Sequence, residues 1–182
     1  MDQTLEQHTW AGNSPHAWES RARDLLAAAT VLRQHRESVS SNSAPAPAAL
    51  IHPAELMLDG MAIECLLKAV WVKRGQKLAK DGKYLGVPGA GDHDLVQLAG
   101  ALKFKLSALE KDTLRRLSHF IEYGGRYPVP KNAEKLQLTR APTGGRAAAT
   151  TWSTPSDYVH FETVISRLNK LLNERKCLET ED

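Results

Sequence analysis

The stretch Gly60-Met61-Ala62-Ile63-Glu64-Cys65-Leu66-Leu67-Lys68 lies inside a longer apolar run, and its reading decides the fold. Within residues 56–72 the only residues that are not apolar are Asp59, Gly60, Glu64 and Lys68. Nearly every side of a helix built from this run must therefore meet other protein, which places it at the centre of an all-α bundle. The same three charges make the run too polar and too short to span a bilayer as a free helix, so no membrane partner is expected.

Outward from this central helix, punctuation residues mark the remaining elements. Toward the N-terminus, Ser14-Pro15 supplies a helix cap and a proline at the first helical position. Trp18, Ala22, Leu25, Leu26, Ala29 and Leu32 then recur at three- and four-residue steps, predicting a first helix to about Arg36. Residues 1–13 read as a flexible arm. Ser38 to Pro47, rich in small polar residues with two prolines, reads as a flexible connection. The central helix is expected from near Pro53 to Gly75, a left-handed stop after basic Lys73 and Arg74.

Gly82, Gly86, Gly89 and Gly91 make the next segment a loop, with a third helix from about Asp92 that buries Leu95, Leu98, Ala99 and Leu102. Ser107-Ala108-Leu109-Glu110 has the capping-box pattern. A fourth helix from there buries Leu114, Leu117, Phe120 and Ile121 and stops at Gly124-Gly125. Residues 124–153, with Pro128, Pro130, Pro142 and two Gly-Gly pairs, cannot be one regular element. A loop this long in a compact domain is functional or disordered. The last helix opens at Thr154-Pro155, carries Asp157 in its first turn, and runs through Val164, Ile165, Leu168, Leu171 and Leu172. No convincing strand and no internal repeat is visible, and residues 177–182 form an acidic tail.

The chain has 182 residues, enough for one well-buried domain and short for two. Its start lacks the basic and apolar stretches of a signal peptide, and Cys65 and Cys177 have no metal or redox spacing, so a cytoplasmic protein with reduced thiols is expected. No cofactor and no metal site is expected, since His52, His119 and His160 are isolated. The net charge of +3 is modest, but residues 115–146 hold seven basic residues against two acidic ones. That region is the electropositive part of the chain.

Three groups of residues carry possible chemistry. Gly60, Glu64 and Lys68, spaced four apart, line one edge of the central helix. They form either a solvent-facing ion pair with a glycine for close helix approach, or a polar groove in which Glu64 fixes a partner such as Arg126 while Lys68 holds an anion. His93 and Asp94 stand at the entry to the third helix; Asp92 or Asp94 caps it, and His93 is a packed imidazole or a phosphate ligand and proton carrier. Arg115, Arg116 and His119 form a polar helix surface, or a pair able to take a 2′-hydroxyl proton and stabilise a phosphorane. Arg126-Tyr127-Pro128 follows Gly-Gly, with Arg126 expected to reach back to the bundle and Tyr127 to offer a stacking face.

The central segment Gly60–Lys68, His93-Asp94-Leu95 and Arg126-Tyr127-Pro128, in that order over residues 18–172, resemble the HEPN superfamily. The resemblance implies an up-and-down bundle of four to five helices with a long irregular loop before the last one, as a single domain over residues 14–176. It also implies a homodimer with a groove at the interface. Many HEPN proteins are metal-independent ribonucleases of toxin–antitoxin, phage-defence or stress systems; others bind nucleotides, RNA or a protein partner without catalysis. The ribonucleases carry arginine followed by histidine with four to six residues between, and no arginine here has that spacing; Arg115 and His119 are separated by three. The expectation is therefore a non-catalytic binding module using Lys68, His93, Arg126, Tyr127 and Lys131, with Gly60, Glu64 and Asp94 shaping its polar groove. The alternatives are a divergent ribonuclease drawing on His119, Arg115, His93 or Arg126, and an interaction scaffold for a cognate protein.

Overall fold

The computed structural model describes residues 2–42, 46–127, 131–136, 139–140, 146–147 and 155–174. The chain is all-α in character: its described residues form helices α1 (Gln3–Gly12), α2 (Pro15–Asn42), α3 (Ala46–Lys73), α4 (Leu95–Ala101), α5 (Ala108–His119) and α6 (Pro155–Asn173), with two minimal hairpins. The apolar run at 56–72 lies in α3, which packs against α2, α4, α5 and α6. Its Leu56, Ile63, Leu66 and Leu67 meet Leu95, Leu98, Leu114, Leu117, Ile121 and Leu168 in one core. Each fully buried side chain of this size contributes about 1.5–3 kcal/mol.

Both long helices exceed their expected bounds. α2 continues to Asn42 and α3 already starts at Ala46, so most of the connection expected over 38–47 is helical, with residues 43–45 outside the described set. Pro53 lies inside α3 rather than at its start. A proline there forfeits one helical hydrogen bond. The loss is offset by packing, because Glu55 and Leu56, two and three residues on, are fully buried. The stop at Gly75 is as expected, with φ at +87°.

Residues 3–12 are helix α1, not a loose arm. Asp2 caps it through Thr4 N at 2.9 Å, and Asn13 at its end ties it to the following hairpin. The Asn13 amide donates to Ala79 O at 2.7 Å, and its oxygen accepts from Leu78 N at 2.9 Å. That hairpin pairs β1 (Ala79–Lys80) with β2 (Lys83–Tyr84) around Asp81-Gly82. Both turn residues have positive φ, the geometry that Asp-Gly favours between two strands. No strand was expected here, because a two-residue ladder carries no alternation to read.

Helix α4 starts at Leu95, three residues later than expected, with Asp94 as its cap through Gln97 N at 2.9 Å. The capping box of α5 forms: Ser107 Oγ accepts from Glu110 N at 3.2 Å and Glu110 Oε2 from Ser107 N at 2.7 Å. After His119 the chain widens into a π-helical turn, Phe120–Gly124, before Gly125 ends it. Within the long loop the described residues form a 3-10 turn, Ala133–Leu136, and a second hairpin of β3 (Thr139–Arg140) with β4 (Arg146–Ala147). Pro128, Pro130, Pro142, Cys177 and the acidic tail lie outside the described residues. Among the described residues no helix is long and apolar enough to cross a membrane.

Candidate functional site

The turn Asp92-His93-Asp94 joins two polar groups, one on α3 and one on α5. On the α3 side, Lys68 Nζ donates to Glu64 Oε1 at 2.6 Å, and His93 Nδ1 donates to Glu64 Oε2 at 3.0 Å. A carboxylate only accepts, so the hydrogen of this contact sits on Nδ1. The next carboxylate is that of Asp92, 3.9 Å from Lys68 Nζ. The ammonium also lies 5.4 Å from the Trp18 ring centre and 5.2 Å from that of Tyr84. Burial disfavours this charge, but attraction to Glu64 and the hydrogen bonds that the ammonium donates to Glu64 and to Tyr84 outweigh it and raise the Lys68 pKa.

This geometry corrects three expectations. Lys68 is 4% exposed and already neutralised by Glu64, so it does not present a free cation to an anion. Glu64 fixes His93 and Lys68, not Arg126. Gly60 does not share their groove, because each four-residue step overshoots a full turn by about 40°. It faces the other neighbour instead: a Cβ there would lie 2.8 Å from Ile121 Cγ1 and 3.2 Å from Leu117 O. Cys65 beside Glu64 is a free thiol pushed up to about 11 by burial and by that carboxylate, so it stays protonated and unreactive.

On the α5 side, Asp94, Val96, Gln97, Arg115, Ser118, His119 and Glu122 line a recess of about 400 Å³. Ser118 couples the recess to α4 by accepting from Leu95 N at 3.0 Å while donating to Leu114 O at 3.0 Å. Arg115, half-exposed, reaches Asp112 at 3.4 Å. The His119 ring meets Tyr123 edge-on at 5.8 Å. Arg115 and His119 are thus brought together, one helical turn apart, as their spacing indicates. Arg116 points elsewhere and clamps Asp157 of α6, with one bond at 3.1 Å.

Arg126 reaches back only as far as the end of its own helix. It donates to the carbonyls of Ile121 and Glu122, the latter at 3.3 Å, and its guanidinium lies 5.6 Å from the Tyr127 ring centre. Tyr127 is 57% exposed, and Lys131 is exposed. Glu122 lines the recess, and Arg126 bonds its backbone carbonyl, but neither Arg126 nor Tyr127 is among the lining residues. Sequence reading found neither Gln97 and Ser118, which look like ordinary helix polars, nor Trp18 and Tyr84, whose apolar character points to the core.

It also missed a charged layer between α2, α3 and α6. Glu55 and Asp59 are fully buried on α3 and meet two arginines of α2. Arg33 binds Glu55 at 2.8 Å and Asp59 at 2.7 Å, while Arg36 binds Glu55 at 2.8 Å. Burial works against the Glu55 charge, but hydrogen bonds from His52, Arg36, Tyr158 and Arg33 hold its pKa below the usual carboxylate range. Asp59 is raised to about 7, because burial and the Glu55 charge outweigh Arg33. The four-residue spacing of Glu55 and Asp59 on an apolar helix was the available signal; their partners Arg33 and Arg36 stand at the end of the expected first helix, of which only the apolar stripe was read.

Among the described residues no group of His, Cys, Asp and Glu has an arrangement that could hold a metal ion. Comparison with protein-family models, curated proteins and solved structures gives no match.

Proposed function

We propose that the chain is a non-catalytic binding module that takes a nucleotide or single-stranded RNA at the α4–α5 recess. The observation that carries this reading is the recess itself, where Arg115 and His119 stand one turn apart beside Gln97 and the Asp94 cap. Its volume falls within the range of small-ligand pockets. Arg115 supplies a planar donor for phosphate, and the Gln97 amide and the carboxylates of Asp94 and Glu122 suit the mixed donors and acceptors of a base edge. Arg126 with exposed Tyr127, four and five residues after Glu122 in the chain, provides a stacking surface for a second base. Two carboxylates in the lining work against stabilising a phosphorane, which is why binding is favoured over cleavage. The HEPN resemblance adds a homodimer and a defence or stress setting to the proposal.

A second reading, a divergent metal-independent ribonuclease, is favoured by the same Arg115–His119 pair. One experiment separates the two. Fluorescence anisotropy of a labelled single-stranded RNA and of a labelled nucleotide is followed over a salt series, beside a metal-free cleavage assay on the same RNA. Binding predicts affinity that falls with salt by a log–log slope of about −0.7 per phosphate contact, an approximately tenfold loss in Arg115→Ala, and intact RNA. Cleavage that disappears in His119→Ala establishes the ribonuclease reading, and absence of both binding and cleavage leaves the protein-scaffold alternative.

A further inference from the structure

Helix α1 has ten residues and buries none of them. A helix of that length is marginal in water on its own. It is held by Asn13 and Thr9, whose hydroxyl accepts from Gly82 N at 3.1 Å, and by Trp18 Nε1, which donates to Gly12 O at 2.9 Å. Two glycines permit the close fit, since a Cβ on Gly12 would strike Ala79 and one on Gly82 would strike Leu5. Among the exposed, mostly polar residues of this pinned helix stand two large apolar ones: Leu5 is 46% exposed and Trp10 69% exposed. With Glu6, Thr9, Asn13 and Asp81 they line a groove of about 490 Å³ whose surface is mainly apolar.

We propose that this groove docks a basic, amphipathic segment of a partner protein. Charge selects that occupant. The two ionisable groups lining the groove, Glu6 and Asp81, are both acidic, and Asp2 stands at the same helix as its cap. Lys80 and Lys83 flank the hairpin turn but do not line the groove. Gln3–Gly12 contains no lysine or arginine, so pairing α1 with α1 of a second copy would set the Glu6 of one against the Glu6 of the other. Nucleic acid is disfavoured by the same sign. The fitting occupant is a helix that lays leucine-like side chains, three and four residues apart, beside Trp10 and Leu5 and directs lysine or arginine to Glu6 and Asp81. Tryptophan is among the side chains enriched at interface anchors.

The test uses the full chain and two synthetic helical peptides, one of leucine and lysine at amphipathic spacing, the other with glutamate in place of lysine. Isothermal titration, together with emission of the protein's tryptophans, reads binding. The proposal expects the lysine peptide to bind, the glutamate peptide not to, and affinity to fall as salt rises. Trp10→Ala should weaken binding about thirtyfold, the scale of an anchor residue. Glu6→Lys should weaken the lysine peptide and bring in the glutamate one. Neither change touches a buried side chain, and matched thermal unfolding of both variants verifies that the fold is intact. Equal binding of both peptides, or lysine-peptide binding indifferent to Trp10→Ala, overturns the proposal. So does a concentration-dependent dimer that Trp10→Ala abolishes, because the groove is then a contact between copies.

Discussion

The Tyr158 hydroxyl donates a 2.6 Å hydrogen bond to Glu55 Oε1, joining the last helix to the central one across 103 residues of sequence. Arg36 reaches the same hydroxyl at 3.3 Å, and the Arg33 guanidinium lies 4.7 Å from the Tyr158 ring centre. The residue just before it, Asp157, is held by Arg116 of α5. Two consecutive side chains therefore fix the start of α6, which is also where the long loop rejoins the bundle. Tyr158→Phe keeps the ring and removes only the hydroxyl. Glu55 retains its arginines, so the expected loss is about 1–2 kcal/mol, read as a lower urea midpoint at unchanged slope. A midpoint equal to that of the wild type would show that the bond does not contribute.

Asp59 makes the upper limb of the pH–stability curve. Its folded pKa, about 7, lies above the value of an unfolded aspartate. The folded state therefore binds the proton more tightly, and this stabilisation is complete below pH about 4 and is lost as pH rises to about 7. The slope is at most about 1.4 kcal/mol per pH unit. Glu55 acts in the opposite sense, because its depressed pKa stabilises the fold above pH about 4.5 and the effect is lost on acidification. A maximum in mildly acidic solution is expected. Asp59→Asn should flatten the curve between pH 5 and 7 while leaving the acid limb, as followed by chemical unfolding at each pH; an unchanged curve would refute the assignment of the titration to Asp59.

At Gly60 two effects of opposite sign compete. Alanine improves helix propensity by about 1 kcal/mol. Its Cβ, however, would meet the Leu117 carbonyl at 3.2 Å and the Ile121 side chain at 2.8 Å. Ile121 can turn aside, but a helix backbone oxygen cannot without moving α5 away from α3. Overpacking of this kind costs about 1–3 kcal/mol, so Gly60→Ala should be net destabilising by up to about 2 kcal/mol. Thermal unfolding is sufficient to check the sign: a rise in Tm would mean that α5 is free to shift.

How far these features could be read from sequence depends on whether their cause was local. The Ser107–Glu110 box, the Gly75 stop and the apolar burial of α3 follow from residues within a few positions of one another, and each stands where it was expected. The start of α3 did not, because Pro53 carries a local helix-breaking signal that distant packing of Glu55 and Leu56 overrides. Of the polar residues, Glu64 and Lys68 were recognisable as a pair from their spacing. That His93 would complete the group, and that Arg126 would bond the carbonyls of Ile121 and Glu122, is set by the path of two loops. No spacing rule encodes that path. Asn13 is the clearest case: an ordinary loop residue in sequence, it bonds Leu78 and Ala79 and converts an expected arm into a docked helix.

The Glu64–Lys68 pair provides the sharpest test of the polar seam. Both side chains are nearly out of solvent, so their attraction is weakly screened, but so is the penalty for stranding either one. Lys68→Met leaves Glu64 with only His93 and removes the cation between Trp18 and Tyr84; a loss of about 3–5 kcal/mol is expected. Glu64→Gln leaves a buried ammonium whose next carboxylate, Asp92, is 3.9 Å away, and should cost a comparable amount. The double variant strands neither charge. It should recover most of the loss, giving a coupling energy of several kcal/mol in a double-mutant cycle measured by urea unfolding. Additive losses would mean that Lys68 and Glu64 are each satisfied by other groups, and that His93 is not oriented by a carboxylate committed to the pair.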